Sequence, residues 1–252
     1  GLVGSEMCIR DRVLIGCLAT AACMICLGGK IPNGLLIVIM IVASVAAGAL
    51  WGFLPAIFKA KWNTNETLFT LMMNYIIIGV VKWLQGGPWE APPSGSQMIA
   101  QFAGNAKLPS VLGVHCGWII VLVLTVLMFI YMRYTKHGYE IAVVGESQRT
   151  ASYAGIKVER VIVRTMILSG AICGLIGLLL TAGTDHTLTT TIVGGRGFTA
   201  VMVSWMAKFN PIMMIFTSLL IVVLSRGASE ISSVFGLNHS LSLIHISEPT
   251  RP

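Results

Sequence analysis

The segment RYTKHGYEIAVVGESQRTASYAGIKVERVIVR, residues 133–164, decides how the rest of the chain is organised. It holds six of the seventeen Lys and Arg residues and three of the ten acidic residues. Apolar runs flank it at residues 118–132 and 161–182. Because apolar runs of roughly this length cross a bilayer as helices, the sequence predicts a polar loop between two membrane-spanning helices.

Residues 139–152 of this segment have the spacing of one short amphipathic helix. Its apolar side chains fall broadly on one side, its charged and amide side chains fall on the others, and Gly155 ends the run. A helix of this kind outside the bilayer is suited to docking another protein.

Three motifs in the segment carry a resemblance to a known family: Gly138-Tyr139-Glu140-Ile141, Val144-Gly145-Glu146-Ser147 and Tyr153-Ala154-Gly155-Ile156. They resemble the cytoplasmic loop of permease subunits of bacterial ABC importers, in the superfamily that handles branched-chain amino acids, simple sugars and nucleosides. Ser147 stands where that family usually has Asn. The resemblance implies an ATPase-coupling loop whose positions are Gly138, Glu140, Gly145, Glu146, Arg149, Tyr153 and Gly155. Our hypothesis is that Glu140, Glu146 and Arg149 contribute to the dock for the ATPase.

Residues 51–76, WGFLPAIFKAKWNTNETLFTLMMNYI, narrow the resemblance. Four motifs occur there in the order typical of the nucleoside and simple-sugar branch: Trp51-Gly52, Lys59-Ala60-Lys61, Asn65-Glu66 and Met72-Met73-Asn74-Tyr75. The match implies a nucleoside or a simple sugar as the solute. It also implies three protein partners, namely an ABC ATPase subunit, a second permease subunit and a substrate-binding lipoprotein.

The composition excludes a soluble globular protein. Hydrophobic residues make up 55% of the chain and charged residues 11%, whereas about a quarter of the residues in a soluble domain are charged. The expected fold is an all-α, polytopic transmembrane helical bundle, incomplete at both ends. The net charge of +7 does not indicate nucleic-acid binding, because the basic residues are scattered at the ends of apolar runs instead of forming one stripe.

Five apolar runs are expected to span the membrane: residues 13–29 once completed upstream, 35–58, 68–84, 118–132 and 161–182. Residues 198–207 and 212–224 are typical of a half-helix followed by a span, with an interruption at residues 208–211. Residues 86–117 and 184–197 are expected to be polar loops, the second of them solvated. Small residues predict close helix packing at Ser44, Ala47 and Gly48 and at Gly170, Gly174 and Gly177.

Asn74 is the polar residue deepest in the third span, and it shares a helix face with Thr70. A polar side chain at that depth needs a partner in the protein or in a wet cavity. Two interpretations stay open: a hydrogen bond between helices, or a solute pathway lined by Thr70 and Asn74.

The distribution of basic residues predicts the orientation. Lys59, Lys61 and the six basic residues of the central segment lie on one side, against Lys30, Lys107 and Arg196 on the other. The positive-inside rule makes residues 133–164 cytoplasmic, as the resemblance also implies. The expected location is the plasma (inner) membrane of a bacterium, crossed several times and surrounded by membrane lipid.

The predicted energy source lies outside this chain. No Asp, Glu, Lys or Arg falls in the middle of a predicted span, whereas ion-driven carriers usually need such groups. The nucleotide-binding motif G-x-x-x-x-G-K-[ST] is also absent. We therefore expect no catalytic residue, metal site or cofactor here, and ATP hydrolysis by a partner subunit. The alternative is a stand-alone secondary carrier or uniporter for a small neutral polar solute. An integral membrane enzyme ranks third, because H-E-x-x-H and G-x-S-x-G are missing.

Both ends of the chain resemble translated sequencing adapter. Residues 2–11, LVGSEMCIRD, are encoded by CTCGTGGGCTCGGAGATGTGTATAAGAGAC, and residues 241–251, LSLIHISEPTR, by the reverse complement of the same adapter. We expect residues 1–12 and 241–252 to be adapter-derived. Residues 13–240 are then a fragment of a transmembrane permease domain.

Overall fold

In the computed structural model, residues 2–62, 64–89, 110–111 and 114–235 are described. Within these ranges the helices are α1 (Leu2–Leu27), α2 (Asn33–Trp62), α3 (Glu66–Gln85), α4 (Gly117–Tyr134), α5 (Lys136–Glu146), α6 (Gln148–Tyr153), α7 (Val158–Leu178), α8 (Arg196–Met206) and α9 (Pro211–Phe235). A π-helical segment, Leu179–Asp185, continues α7. The short strands β1 (Ser110–Val111) and β2 (Val114–His115) pair antiparallel.

Five of these helical segments are long and apolar enough to cross a membrane: α2, α3, α4, α7 with its π-helical continuation, and the first 18 residues of α9. The predicted all-α transmembrane bundle is therefore confirmed. The chain divides into two compact units, Gly1–Phe198 and Thr199–Pro252.

The core of the first unit lies where α1, α2 and α7 meet, and α2 and α7 share its most extensive interface. Small residues let the two backbones touch. A Cβ atom on Gly170 would overlap the carbonyl oxygen of Gly48, and one on Gly174 would overlap the carbonyl oxygen of Ser44. Helix α1 joins them, since a Cβ on Gly16 would lie 2.6 Å from the Gly174 carbonyl oxygen. The close helix packing predicted around Gly48, Gly170 and Gly174 is confirmed.

The central polar segment differs from its prediction. The single helix expected over residues 139–152 is two helices, α5 and α6, which meet at Ser147. Ser147 has an extended backbone, and its hydroxyl accepts a hydrogen bond from the Thr150 amide at 3.3 Å. Serine in this role caps a new helix, so the break arises from local hydrogen bonding that the apolar spacing does not reveal.

The prediction of a solvated loop at residues 184–197 is wrong. Leu188, Ile192 and Val193 are buried in the hydrophobic core of the first unit. The Gln85 side-chain amide donates a 2.6 Å hydrogen bond to the Leu188 carbonyl oxygen, which ties the segment to the end of α3. Its threonines and glycines give a polar average composition, but three apolar side chains are enough to fold it back onto the bundle.

One loop precedes α3 and another follows it. Between α2 and α3, Asn65 caps α3 by accepting a hydrogen bond from the Thr67 amide at 3.1 Å, and Lys59 forms an ion pair with Glu66. Of the predicted loop at residues 86–117, residues 90–109 and 112–113 lie outside the described residues.

In the second unit, a break at residues 207–210 precedes α9. Lys208 and Phe209 both have left-handed backbones, with φ of 49° and 58°. The Asn210 side-chain oxygen accepts a hydrogen bond from the Ile212 amide at 3.1 Å, and Pro211 occupies the first helical position. The predicted interruption between a short helix and a longer one is confirmed.

Candidate functional site

The candidate coupling segment begins with a tight turn from α4 into α5. The Thr135 hydroxyl accepts a hydrogen bond from the Gly138 amide at 3.2 Å and so caps α5. Gly138 is buried against the end of α4, where a Cβ atom would overlap the Met132 carbonyl oxygen. The glycine is therefore needed for the close approach of the two helices.

The segment ends with a second glycine-dependent turn, between α6 and α7. Gly155 has φ of +78°, a conformation that side-chain-bearing residues rarely adopt. Its amide donates to the Ser152 carbonyl oxygen at 3.1 Å, and the Ile156 amide donates to the Ala151 carbonyl oxygen at 3.0 Å. This pair of hydrogen bonds is the Schellman motif that closes a helix with glycine.

Between these turns, Glu140 ties α5 to the membrane-spanning helix α7. Its Oε2 accepts a 2.9 Å hydrogen bond from the Nη2 of Arg164, and its side chain is 18% exposed. The Nη1 of Arg164 contacts the Nδ1 of His137. The same nitrogen of His137 lies 3.5 Å from the Oε2 of Glu140. We call the Glu140–Arg164 contact the α5–α7 link.

The α5–α7 link shifts the titration of its carboxyl group. The hydrogen bond from Arg164 holds the pKa of Glu140 below its ordinary value of 4.5, against a smaller opposing effect of burial. Because the pKa of Glu140 is lower in the folded state, the ion pair contributes its full stabilisation at pH values above the ordinary pKa of the carboxyl group. It is lost as the pH falls through the lower folded-state pKa.

The other four coupling positions have their side chains or backbone open to solvent: Gly145, Glu146, Arg149 and Tyr153. Tyr153 is 93% exposed, and a Cβ on Gly145 would meet no atom within 4 Å. Within the described residues, neither Glu146 nor Arg149 has an ion-pair partner. We call Glu146, Arg149 and Tyr153 the docking residues, after the role that we propose for them below. Of the seven predicted positions, Gly138, Glu140 and Gly155 therefore shape the segment, and the other four are exposed on its surface.

Sequence reasoning missed Arg164 and His137. Arg164 is 24 residues from Glu140 and on another helix, so no local spacing connects them. It also missed Tyr139, which is 68% exposed and gives α5 an aromatic surface, as Tyr153 does for α6. The sequence did offer a signal for Tyr139, because this residue lies inside the motif that runs from Gly138 to Ile141.

The two candidate pathway residues are buried on the inner face of α3. Thr70 is fully buried, and its hydroxyl donates to the Glu66 carbonyl oxygen of its own helix at 2.9 Å. Asn74 is 2% exposed and lies on the same buried face as Met73 and Ile77. Their burial fits both a contact between helices and a pathway that opens when helices move.

Within the part of the chain that the structure describes, no three His, Cys, Asp or Glu side chains are grouped to hold a metal ion. The exposed side chains of the coupling segment offer charge, hydrogen-bonding groups and aromatic surface for recognition.

Comparison with known proteins gives consistent results. Residues 7–244 match the family described as "Branched-chain amino acid transport system / permease component". The chain is 26% identical to the glucose ABC transporter permease protein of Haloferax volcanii, over 95% of this chain and 65% of that protein. It is 27% identical to the guanosine ABC transporter permease protein of Bacillus subtilis, over 87% of this chain and 64% of that protein.

A third relative is the nucleoside ABC transporter permease protein of Lactococcus lactis, 28% identical over 79% of this chain and 58% of that protein. The chain therefore spans less than two thirds of the length of these curated relatives. No solved structure matches it. Because the family match covers nearly the whole chain, and because five described helices can span a membrane, this multi-pass membrane protein belongs to the family of branched-chain amino acid transport system permease components.

Proposed function

We propose that the complete protein is the transmembrane permease subunit of an ABC importer for a nucleoside or a simple sugar. It works in the plasma (inner) membrane of a bacterium with a second permease subunit, a substrate-binding lipoprotein and an ABC ATPase subunit. The observation that carries the proposal is the α5–α6 pair. It lies between two spans, is held to α7 by the α5–α7 link, and presents docking residues with no ion-pair partner in the described part of the chain.

Two further observations support an external energy source. The chain has no phosphate-binding loop motif, and its predicted spans from residue 13 onward carry no charged residue in their middle. The names of the relatives, glucose, guanosine and nucleoside permeases, support a neutral polar solute.

The docking residues provide the test. In the complete importer, replacing Glu146, Arg149 and Tyr153 together by alanine is expected to abolish capture of the ATPase and to lower uptake of labelled guanosine or glucose at least tenfold. The physical reason is that exposed aromatic and arginine side chains supply much of the binding energy at interfaces. Pull-down of the ATPase and ATP-dependent uptake into vesicles measure the two effects.

The matched control replaces Arg133 and Tyr134, an exposed arginine and tyrosine at the end of α4, by alanine, and uptake is expected to stay normal. Unchanged ATPase capture by the triple variant would refute the docking assignment. Uptake by the permease with no ATPase present would instead establish a stand-alone carrier.

We also propose that Thr70 and Asn74 line the solute pathway in a conformation that opens the buried face of α3. Replacing Asn74 by alanine is then expected to raise the KM for the solute about five- to tenfold, the scale of one lost hydrogen bond, with ATPase capture retained. Tyr75→Ala, at the neighbouring outward-facing position, is the control. A normal KM combined with a lower yield of folded protein would favour a hydrogen bond between helices.

We propose further that residues 1–12 and 241–252 are adapter-derived. Asp11 and Arg12 illustrate the reason: both are at least 97% buried in the middle of α1. The Nη1 of Arg12 donates to Ser169 at 3.1 Å, but its Nε and Nη2 are buried with no hydrogen-bond partner in the described residues. A buried charge with unsatisfied donors costs several kcal/mol, which is unusual for a native helix core.

A continuous read of native DNA across this locus tests the origin of both ends. We expect the native reading frame to depart from the present sequence before residue 13 and after residue 240, and to continue into further hydrophobic helices. The family match extends over residues 7–244, so the read decides whether those outer residues are genuine. Recovery of LVGSEMCIRD and LSLIHISEPTR from unamplified DNA would refute the adapter origin.

A further inference from the structure

A groove of about 590 Å³ lies between the end of α2 and the start of α7. This volume is within the range of roughly 300–1,000 Å³ that is typical of small-molecule sites. Its apolar wall follows both helices into the membrane-spanning region and is formed by Ile57, Val163, Ile167, Leu168 and Ala171.

The rim of the groove is positively charged. Lys61, Arg160 and Arg164 lie on it, together with one acidic residue, Glu159. Arg164 is engaged by the α5–α7 link, whereas Lys61 and Arg160 are exposed and have no ion-pair partner among the described residues. Glu159 is in the first turn of α7, where a carboxylate is stabilised by the helix dipole.

The positions of Lys61 and Arg160 on their helices fix the depth of the positive rim in the membrane. Lys61 is in the last turn of α2, and Arg160 is in the first turn of α7. Both helices are long and apolar enough to cross the membrane, so the cations lie where a span meets lipid headgroups. A ligand that fits must carry an anion at this level and a long apolar chain below it.

We propose that this groove binds one anionic phospholipid. The phosphate pairs with Lys61 and Arg160, and an acyl chain lies along the apolar wall from Ile57 to Ala171. A phospholipid with no net charge offers the same chain, but its ammonium group opposes the rim. A helix of a second copy, or of another part of the protein, would have to bring a carboxylate to the same two cations. The proposal requires only that α2 and α7 span the membrane, and it is independent of the solute and of the ATPase.

Competition between two lipids tests the site. The purified protein in nonionic detergent is mixed with equal amounts of phosphatidylglycerol and phosphatidylcholine, and bound lipid is counted by native mass spectrometry. Cations near an anionic membrane surface contribute about fivefold each, so we expect one bound phosphatidylglycerol with a preference of roughly twentyfold. Equal binding of the two lipids by the unmodified protein would overturn the proposal.

Charge-matched variants locate the site. Lys61→Gln combined with Arg160→Gln is expected to remove the preference. Lys30→Gln, in the turn before α2, combined with Lys82→Gln, in the last turn of α3, removes two exposed charges that do not line the groove and is expected to retain it. Loss of the preference in the second pair but not the first would overturn the proposal.

Photocrosslinking identifies the occupant directly. With p-benzoylphenylalanine in place of Val163, in vesicles of equal phosphatidylglycerol and phosphatidylcholine, the expected adduct has the mass of one phosphatidylglycerol. An adduct with a second copy of the chain, or with another segment of the same chain, would show that a helix fills the groove and would overturn the proposal.

Discussion

Replacing Gly174 by leucine is expected to prevent the protein from accumulating as a folded membrane protein. A Cβ at this position overlaps the Ser44 carbonyl oxygen and approaches the α-carbon of Gly48 at 3.3 Å. These atoms belong to the backbone of α2 and cannot rotate away, so α2 and α7 must separate along the most extensive interface of the unit. Overpacking a core usually costs about 1–3 kcal/mol, and contact with rigid backbone places this variant above that range.

The measurement is the yield and thermal stability of the detergent-solubilised protein, followed by size-exclusion chromatography. Gly79→Leu is the matched control, because Gly79 is exposed on α3 and a Cβ there meets no atom within 4 Å. Since leucine favours a helix more than glycine does, the control is expected to be neutral or slightly stabilised. Equal stability of the two variants would contradict the packing described here.

The second large effect is expected from Arg164, which joins the coupling segment to a transmembrane helix. Replacing Arg164 by alanine in the complete importer is expected to lower ATP-driven uptake at least tenfold while capture of the ATPase is retained. Without the α5–α7 link, α5 can still bind its partner, but its movement is no longer passed to α7. This expectation rests on the proposed function.

Stability distinguishes such a role from a purely structural one. The link is partly exposed, with side-chain exposures of 35% for Arg164 and 18% for Glu140, and solvent screening makes exposed ion pairs weak contributors to stability. Thermal stability is therefore expected to change little. Arg133→Ala, which removes an exposed arginine at the end of α4, controls for lost charge.

Exchanging the charges provides the sharpest form of this experiment. The double variant Glu140→Arg with Arg164→Glu keeps an opposite-charge pair across the same two helices, and we expect it to recover part of the uptake lost in Arg164→Ala. If uptake falls in parallel with thermal stability, or if Arg164→Ala transports normally, the α5–α7 link does not transmit motion.

The sequence alone determined the parts of this protein that depend on local composition and spacing. Apolar runs located α2, α3, α4 and α7, four of the five described helical segments that can cross a membrane, and the interruption at residues 208–211 marked the start of the fifth, α9. Gly170 and Gly174, four residues apart, identified the packing face of α7. These features are local because a helix in lipid must satisfy its own backbone hydrogen bonds and expose apolar side chains, which leaves a signature within each run.

Only the tertiary structure decided which distant residues meet. It paired Glu140 with Arg164, buried Leu188 of a segment with a polar average composition, and placed Lys61 and Arg160 on the rim of one groove. Each of these contacts joins elements far apart in the chain and depends on how α2, α3, α5 and α7 approach one another. Residue spacing within one helix carries no information about that approach, so burial and charge pairing between helices became visible only after the bundle was assembled.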